Sequence, residues 1–182
     1  MACLIANGRA EACKDSIGGI RNIYFINYQI EDADVSYDVT NTDLITDVNS
    51  VDSLYKFELK GSDNTFEQTI NSDRNAGTTF FTQTLTVKFK KQDVATTKNI
   101  KLLSYGRPHI VIETNAGQFM LMGLKYGADV TAGTISTGGA MGDFSGYSLT
   151  FTAEEPTPAN FINASTQAAL VTLFSPATLV VS

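Results

Sequence analysis

Tryptophan is absent from this 182-residue chain, histidine occurs once and cysteine twice. Cys3, Cys13 and one imidazole cannot supply a typical four-ligand zinc site. A Ser-His-Asp or Cys-His arrangement would have to use His109, which sits between Pro108 and Ile110 where a strand should begin, and no G-x-S-x-G elbow is present. The imidazole is expected to bond a neighbour, not to act as a base. Glu154 and Glu155 are adjacent, so on a strand they face opposite sides and form no carboxylate pair.

Lysine and arginine are also scarce, 13 against 19 aspartates and glutamates. The net charge of -6 disfavours a non-specific grip on nucleic acid or an anionic membrane. No run approaches the ~18 apolar residues of a membrane span, and Met1 to Arg9 lacks the pattern of a secretory signal. No membrane binding by the chain itself is expected. With its two thiols crowded near one end, the chain reads as made in a reducing cytosol; Cys3 and Cys13 are incidental thiols or pair with one another. None of the glycines forms GxGxxG before a helix or GxxxxGK[ST], so a phosphate cradle is not expected. No catalytic residue, cofactor or metal site is expected.

What the chain has in quantity is threonine, 22 residues, with β-branched and aromatic residues in runs that suit a pleated, half-buried surface. Length and composition suit one β-rich domain. Residues 1–15 read as an arm, with a hinge at Gly18-Gly19. Strand signals follow at Ile20–Ile30, near Val35–Val39, at Leu54–Lys60 and at Thr65–Ile70, the last two joined as a hairpin across Gly61-Ser62-Asp63-Asn64. Thr78–Lys90 has the clearest period of two: Phe81, Gln83, Leu85, Val87 and Phe89 share one face, and Thr82, Thr84, Thr86, Lys88 and Lys90 the other.

One good helix is expected, Gln92–Tyr105, with Asp93 early, Gly106 at its end and Pro108 beyond. A hairpin follows, His109–Glu113 and Gln118–Lys125 across Thr114-Asn115-Ala116-Gly117. The glycines from Gly127 to Gly146 read as bends in a curved sheet, and Tyr147–Ala153 as the last core strand. Phe161–Ser182 carries no charged side chain. It reads as a final strand pair of its own fold or as an arm covering a neighbour's sheet edge.

Between Arg21 and Lys56 stand Glu31, Asp32, Asp34, Asp38, Asp43, Asp47 and Asp52, with no base among them. Only Asp32-Ala33-Asp34 matches the opening of a D-x-D-x-D-G cation loop. These acids read as solvated turns, or as a surface that repels polyanions.

Gly106-Arg107-Pro108-His109 with its hairpin, and the run "D-x-x-G-Y-x-L-T-F-T-x-E-E" from Asp143 to Glu155 followed by Pro158-Ala159-Asn160-Phe161, resemble tail tube proteins of tailed bacteriophages. The resemblance spans roughly residues 16–163 and rests on the order of elements and on composition. Related folds occur in tail terminators, secretion-system tubes and baseplate hubs. The resemblance implies a mainly β fold, a β-sandwich or half-barrel with one flanking α-helix, assembled as a hexameric ring whose sheets join into an inner β-barrel. It further implies stacked rings forming a conduit for DNA ejection in the virion tail, made in the host bacterial cytoplasm. Partners would be further copies, other tail proteins such as sheath, terminator or baseplate, and DNA in transient passage.

On that reading residues 71–77, with Asn71, Asp73, Arg74, Asn75 and Gly77, form the inter-ring loop. Asp32, Asp34, Asp38, Asp43, Asp47 and Asp52 line the lumen or the outer surface. The arms, 1–15 and 164–182, make ring-to-ring or sheath contacts, so trimming either should leave a folded protomer that fails to polymerise. The alternative is a head-tail joining or capsid-decorating structural protein. A more remote one is a carbohydrate-binding β-sandwich using Tyr24, Tyr28, Tyr37 and Tyr55 as platforms.

Overall fold

Thr78–Lys90 forms one 13-residue strand, and from Gln83 to Phe89 its odd-numbered side chains are buried in alternation. The computed structural model describes residues 5, 7–11, 13–61 and 63–181, and Cys3 lies outside them. In chain order the strands are β1 (Ile20–Ile26), β2 (Val35–Tyr37), β3 (Leu44–Val48), β4 (Ser53–Glu58), β5 (Thr65–Asp73) and β6 (Thr78–Lys90). They continue as β7 (His109–Thr114), β8 (Phe119–Met122), β9 (Asp129–Ser136), β10 (Gly146–Glu155), β11 (Asn160–Ile162) and β12 (Thr178–Val181). The helices are α1 (Val94–Leu103) and α2 (Gln167–Leu173).

The fold is mainly β, in two sheets. An eight-stranded sheet has the order β12-β4-β1-β7-β8-β11-β3-β2, and a four-stranded sheet the order β5-β6-β10-β9. Neither closes on itself, so each keeps two free edges. Ile23, Phe25, Ile110 and Ile112 of the first sheet meet Leu85, Val87, Leu149 and Phe151 of the second in one core. Tyr24, Val111, Leu121, Ile45 and Leu54 point to the opposite side of the eight-stranded sheet and form a second core. The central strands β1 and β7 are therefore buried on both faces, which explains why they read as nearly unbroken apolar runs.

Four expectations change. Leu54–Lys60 and Thr65–Ile70 do not form a hairpin: β4 pairs with β1, and β5 crosses to the other sheet to pair with β6. The Gly-rich segment holds a strand, β9, paired along β10. Gly133 fits there because a Cβ would stand 2.8 Å from a Leu149 methyl carbon. Among the described residues there are two α-helices, not one flanking helix. α1 is capped by the Asp93 side chain accepting from Thr96 N–H, and α2 by the Thr166 hydroxyl accepting from Ala169 N–H.

The C-terminal piece takes the first of its two readings, as strands of its own fold, and the fourth change is to the expected outcome of trimming it. Phe161 and Ile162 pair parallel to Leu44 and Ile45, Phe174 bridges Val48, and Thr178–Val181 pair parallel to Ser53–Lys56. The chain thus runs alongside β3 and β4 with α2 as the crossover a parallel connection requires. Leu170, Leu173 and Phe174 complete the second core. Trimming residues 164–182 would open that core, so a folded trimmed protomer is no longer expected.

Candidate assembly surface

Register fixes which side chains share the outer face of the four-stranded sheet, because residues directly opposite in an antiparallel pair point the same way. Thr65 lies opposite Thr86, Glu67 opposite Thr84, and Thr69 opposite Thr82. On the other side of β6, Thr150 lies opposite Thr86, Thr152 opposite Thr84, and Glu154 opposite Thr82. Ala132, Thr134 and Ser136 of β9 extend the same face past Thr150, Ser148 and Gly146. The outcome is a sheet surface made mostly of hydroxyls. The strands expected at Thr78–Lys90 and Tyr147–Ala153 are neighbours in it.

Hydrogen bonds tie this surface together. Asn71 Nδ2 donates to Thr82 Oγ1 at 2.8 Å, and the Thr131 and Thr152 hydroxyls bond at 2.9 Å. From Thr78 to Thr86 β6 puts no basic side chain on it. Two lysines stand further along: Lys88, paired with Asp63 at 3.0 Å, and exposed Lys90.

Both edges of this sheet are open. β9 is exposed at every residue but half-buried Val130, and Asp129 is its one charged side chain. β5 at the other edge is exposed or half-buried throughout. A long strand with free backbone N–H and C=O groups and neither proline nor lysine to blunt it is a template for pairing with another chain.

The expected inter-ring loop is part strand and part turn. Asn71 and Asp73 belong to β5, opposite Phe80 and Thr78, and the turn proper is residues 74–77. Asp73 Oδ1 accepts from Asn75 N–H at 2.7 Å and from Ala76 N–H at 3.2 Å, and Gly77 takes a positive φ of 67°, so Arg74 and Asn75 sit on a preformed tip. Ile70 is 66 % exposed on the hairpin stem.

The aspartates lie elsewhere and not on the threonine face: Asp32, Asp34, Asp38, Asp43 and Asp47 on and around the β2–β3 edge of the eight-stranded sheet, and Asp52 just before β4. Three of them accept local hydrogen bonds. Asp34 accepts from Glu31 N–H and from the Ser50 hydroxyl, Asp38 from Thr40 and Asn41 N–H, and Asp47 from Asn49 Nδ2. Asp32 pairs with Lys125 at 3.4 Å. Asp43 and Asp52 are exposed, and their backbone carbonyls accept from Asn160 Nδ2 and Thr178 N–H. Among the described residues, no three His, Cys, Asp or Glu side chains converge as metal ligands.

Three buried polar side chains serve the backbone. The imidazole of His109 is fully buried: its Nδ1 is 2.6 Å from Gly123 O, and its Nε2 accepts from Ile30 N–H at 3.2 Å and Gln29 N–H at 3.3 Å. A carbonyl can only accept, so the proton is on Nδ1. Burial lowers its pKa, and the bond to Gly123 opposes that. Glu155 accepts from Tyr126 N–H at 2.8 Å and Lys125 N–H at 3.0 Å, and Gln83 accepts from Gly123 N–H at 3.0 Å. These three side chains hold the tight loop between β8 and β9. Burial raises the Glu155 pKa, against the lowering effect of the two backbone donors. Sequence reasoning did not single out Gln83 and Glu155 as anchors, although polar residues on the inward register of β6 and β10 were the available signal.

Of the aromatic platforms considered for sugars, Tyr24 is fully buried and Tyr28 stacks on His109 with ring centres 4.9 Å apart. No protein-family model, curated protein or solved structure matches this chain.

Proposed function

We propose that the protein is a structural subunit that assembles, edge to edge, into stacked hexameric rings of a phage tail tube, with the threonine face toward the bore. The observation that carries this reading is the four-stranded sheet: one face in the core, one face of hydroxyls, and a long unprotected strand at each edge. Pairing β9 of one copy with β5 of the next would remove both edges and continue the hydroxyl face around a ring. Along Thr82–Thr86 such a bore, with Glu67 and Glu154 beside the hydroxyls, would offer phosphates no anchored cation, so DNA would slide past that stretch; the cations of the face, Lys88 and Lys90, stand at its far end. On this reading the aspartates of the β2–β3 edge lie on the outside of the tube. The β5–β6 hairpin is the contact between rings, and sheath, terminator or baseplate proteins are the further partners. The virion tail would be its location.

Electron microscopy of the purified chain at high concentration tests the proposal. Hollow rods or six-fold rings are the expected result. A monodisperse monomer, or a single ring that does not stack, would transfer the weight to a head-tail joining or capsid-decorating protein.

A further inference from the structure

Met141 stands at the apex of the loop between β9 and β10 and, at 109 % exposure, is the most exposed large apolar side chain among the described residues. The loop that displays it is braced. Asp143 Oδ2 accepts from Gly139 N–H at 2.9 Å and from Ala140 N–H at 2.7 Å, and Asp143 N–H donates to Ala140 O at 3.1 Å. Gly138 takes a φ of +71°, where a Cβ would come within 2.7 Å of the Asp143 Cβ. An apolar knob on a fixed support, with one carboxylate beside it, has no partner within its own chain.

The same chain carries an apolar cleft. It lies between the C-terminal half of α1 and strands β1 and β4, holds about 430 Å³, and is walled by Phe25, Tyr55, Phe57, Leu102 and Leu103. No acidic side chain lines it, and Arg107 is its one charged lining residue. The Arg107 guanidinium rests over the Tyr28 ring at 5.1 Å and forms no ion pair with a described carboxylate.

We propose that the two features meet between copies: the 138–143 loop of one molecule seats Met141 in the α1 cleft of another, with Asp143 facing Arg107. Shape and charge both favour a second copy as the occupant. The knob is apolar with an anion beside it, and the cleft is apolar with a cation beside it. A methionine side chain adapts to an irregular apolar hole. Knob and cleft are different patches, so the contact is head-to-tail and repeats from copy to copy, closing a ring or extending a filament. This inference rests on the self-association proposed above and adds a second contact to sheet pairing.

The test uses Met141→Asp and Leu102→Glu, both at exposed positions, with circular dichroism to check folding and sedimentation velocity to read association. Each variant alone should associate about 10- to 100-fold more weakly than the parent chain, the loss of one buried methionine-sized contact. An equimolar mixture should recover association between one copy of each, because the Leu102→Glu chain keeps its knob and the Met141→Asp chain keeps its cleft. Folded variants that associate like the parent, or a mixture no better than either variant alone, would overturn the contact. Parent-like rods from Met141→Asp would remove this contact and leave the tube reading standing. A parent chain that never self-associates would end both.

Discussion

The Tyr24 hydroxyl donates to Glu113 Oε2 at 2.8 Å, and both side chains are buried. Asn22 Nδ2 donates to the same oxygen at 2.7 Å, while Arg21 stays 3.9 Å from the other. Burial first, and the neighbouring carboxylate second, push the Tyr24 hydroxyl well above its ordinary pKa. Tyr24→Phe removes a donor to a buried carboxylate and should cost about 1–3 kcal/mol in urea unfolding. A variant as stable as the parent would show that Glu113 finds another donor.

His109 gives a second, spectroscopic check, because the chain has one imidazole and its nitrogen resonances need no assignment. Its pKa is depressed, chiefly by burial. The native state therefore prefers the neutral ring. The stability this contributes is present above the unfolded value of about 6.5 and is lost as pH falls through the native value. Nitrogen NMR should find the neutral Nδ1–H tautomer still dominant at pH 6.5. A ring half protonated there, or one carrying its proton on Nε2, contradicts the assignment.

Glu155 works in the opposite sense. Its native pKa is raised by burial, so the contribution is fully present below the unfolded carboxyl value of about 4.3 and is lost as pH rises through the native value. Glu155→Gln keeps one acceptor for Tyr126 or Lys125 N–H and removes the titration. The stability gap between parent and variant should be wider at pH 4 than at pH 7, measured by thermal unfolding at both. A gap independent of pH would mean that the carboxyl titrates alike in both states.

Leu170 tests whether the C-terminal segment belongs to the protomer. It is fully buried in the second core, on a helix of seven residues that could not persist alone. Leu170→Ala should cost about 2–5 kcal/mol. A loss under ~1 kcal/mol would mean that α2 contributes little, as a detachable arm would.

The sequence disclosed strands better than their partners. Thr78–Lys90 was legible to the residue because its sequence alternates throughout, and burial follows that alternation from Gln83 on. The β7–β8 hairpin was legible because Thr114-Asn115-Ala116-Gly117 is a strong turn between two apolar runs. The link from β4 to β5 was misread because a turn signal does not reveal whether the chain folds back or crosses to another sheet. β9 was missed because strands weakened by glycine resemble bends, and the reason for Gly133, a close Leu149 side chain, is a long-range contact. α2 was missed although Thr166 before Leu170, Leu173 and Phe174 is a cap ahead of helical spacing; in an uncharged run that pattern competes with strand. The threonine face was half legible: its two main strands were recognised, but only pairing made them one surface.

The most direct test of the account is an image reconstruction of the assembled chain. It should show hollow rods of stacked six-fold rings, with Thr84 and Thr150 toward the bore and Asp38 and Asp43 outside. Rods with the β2–β3 edge facing the bore, or a chain that remains monomeric at high concentration, would contradict it.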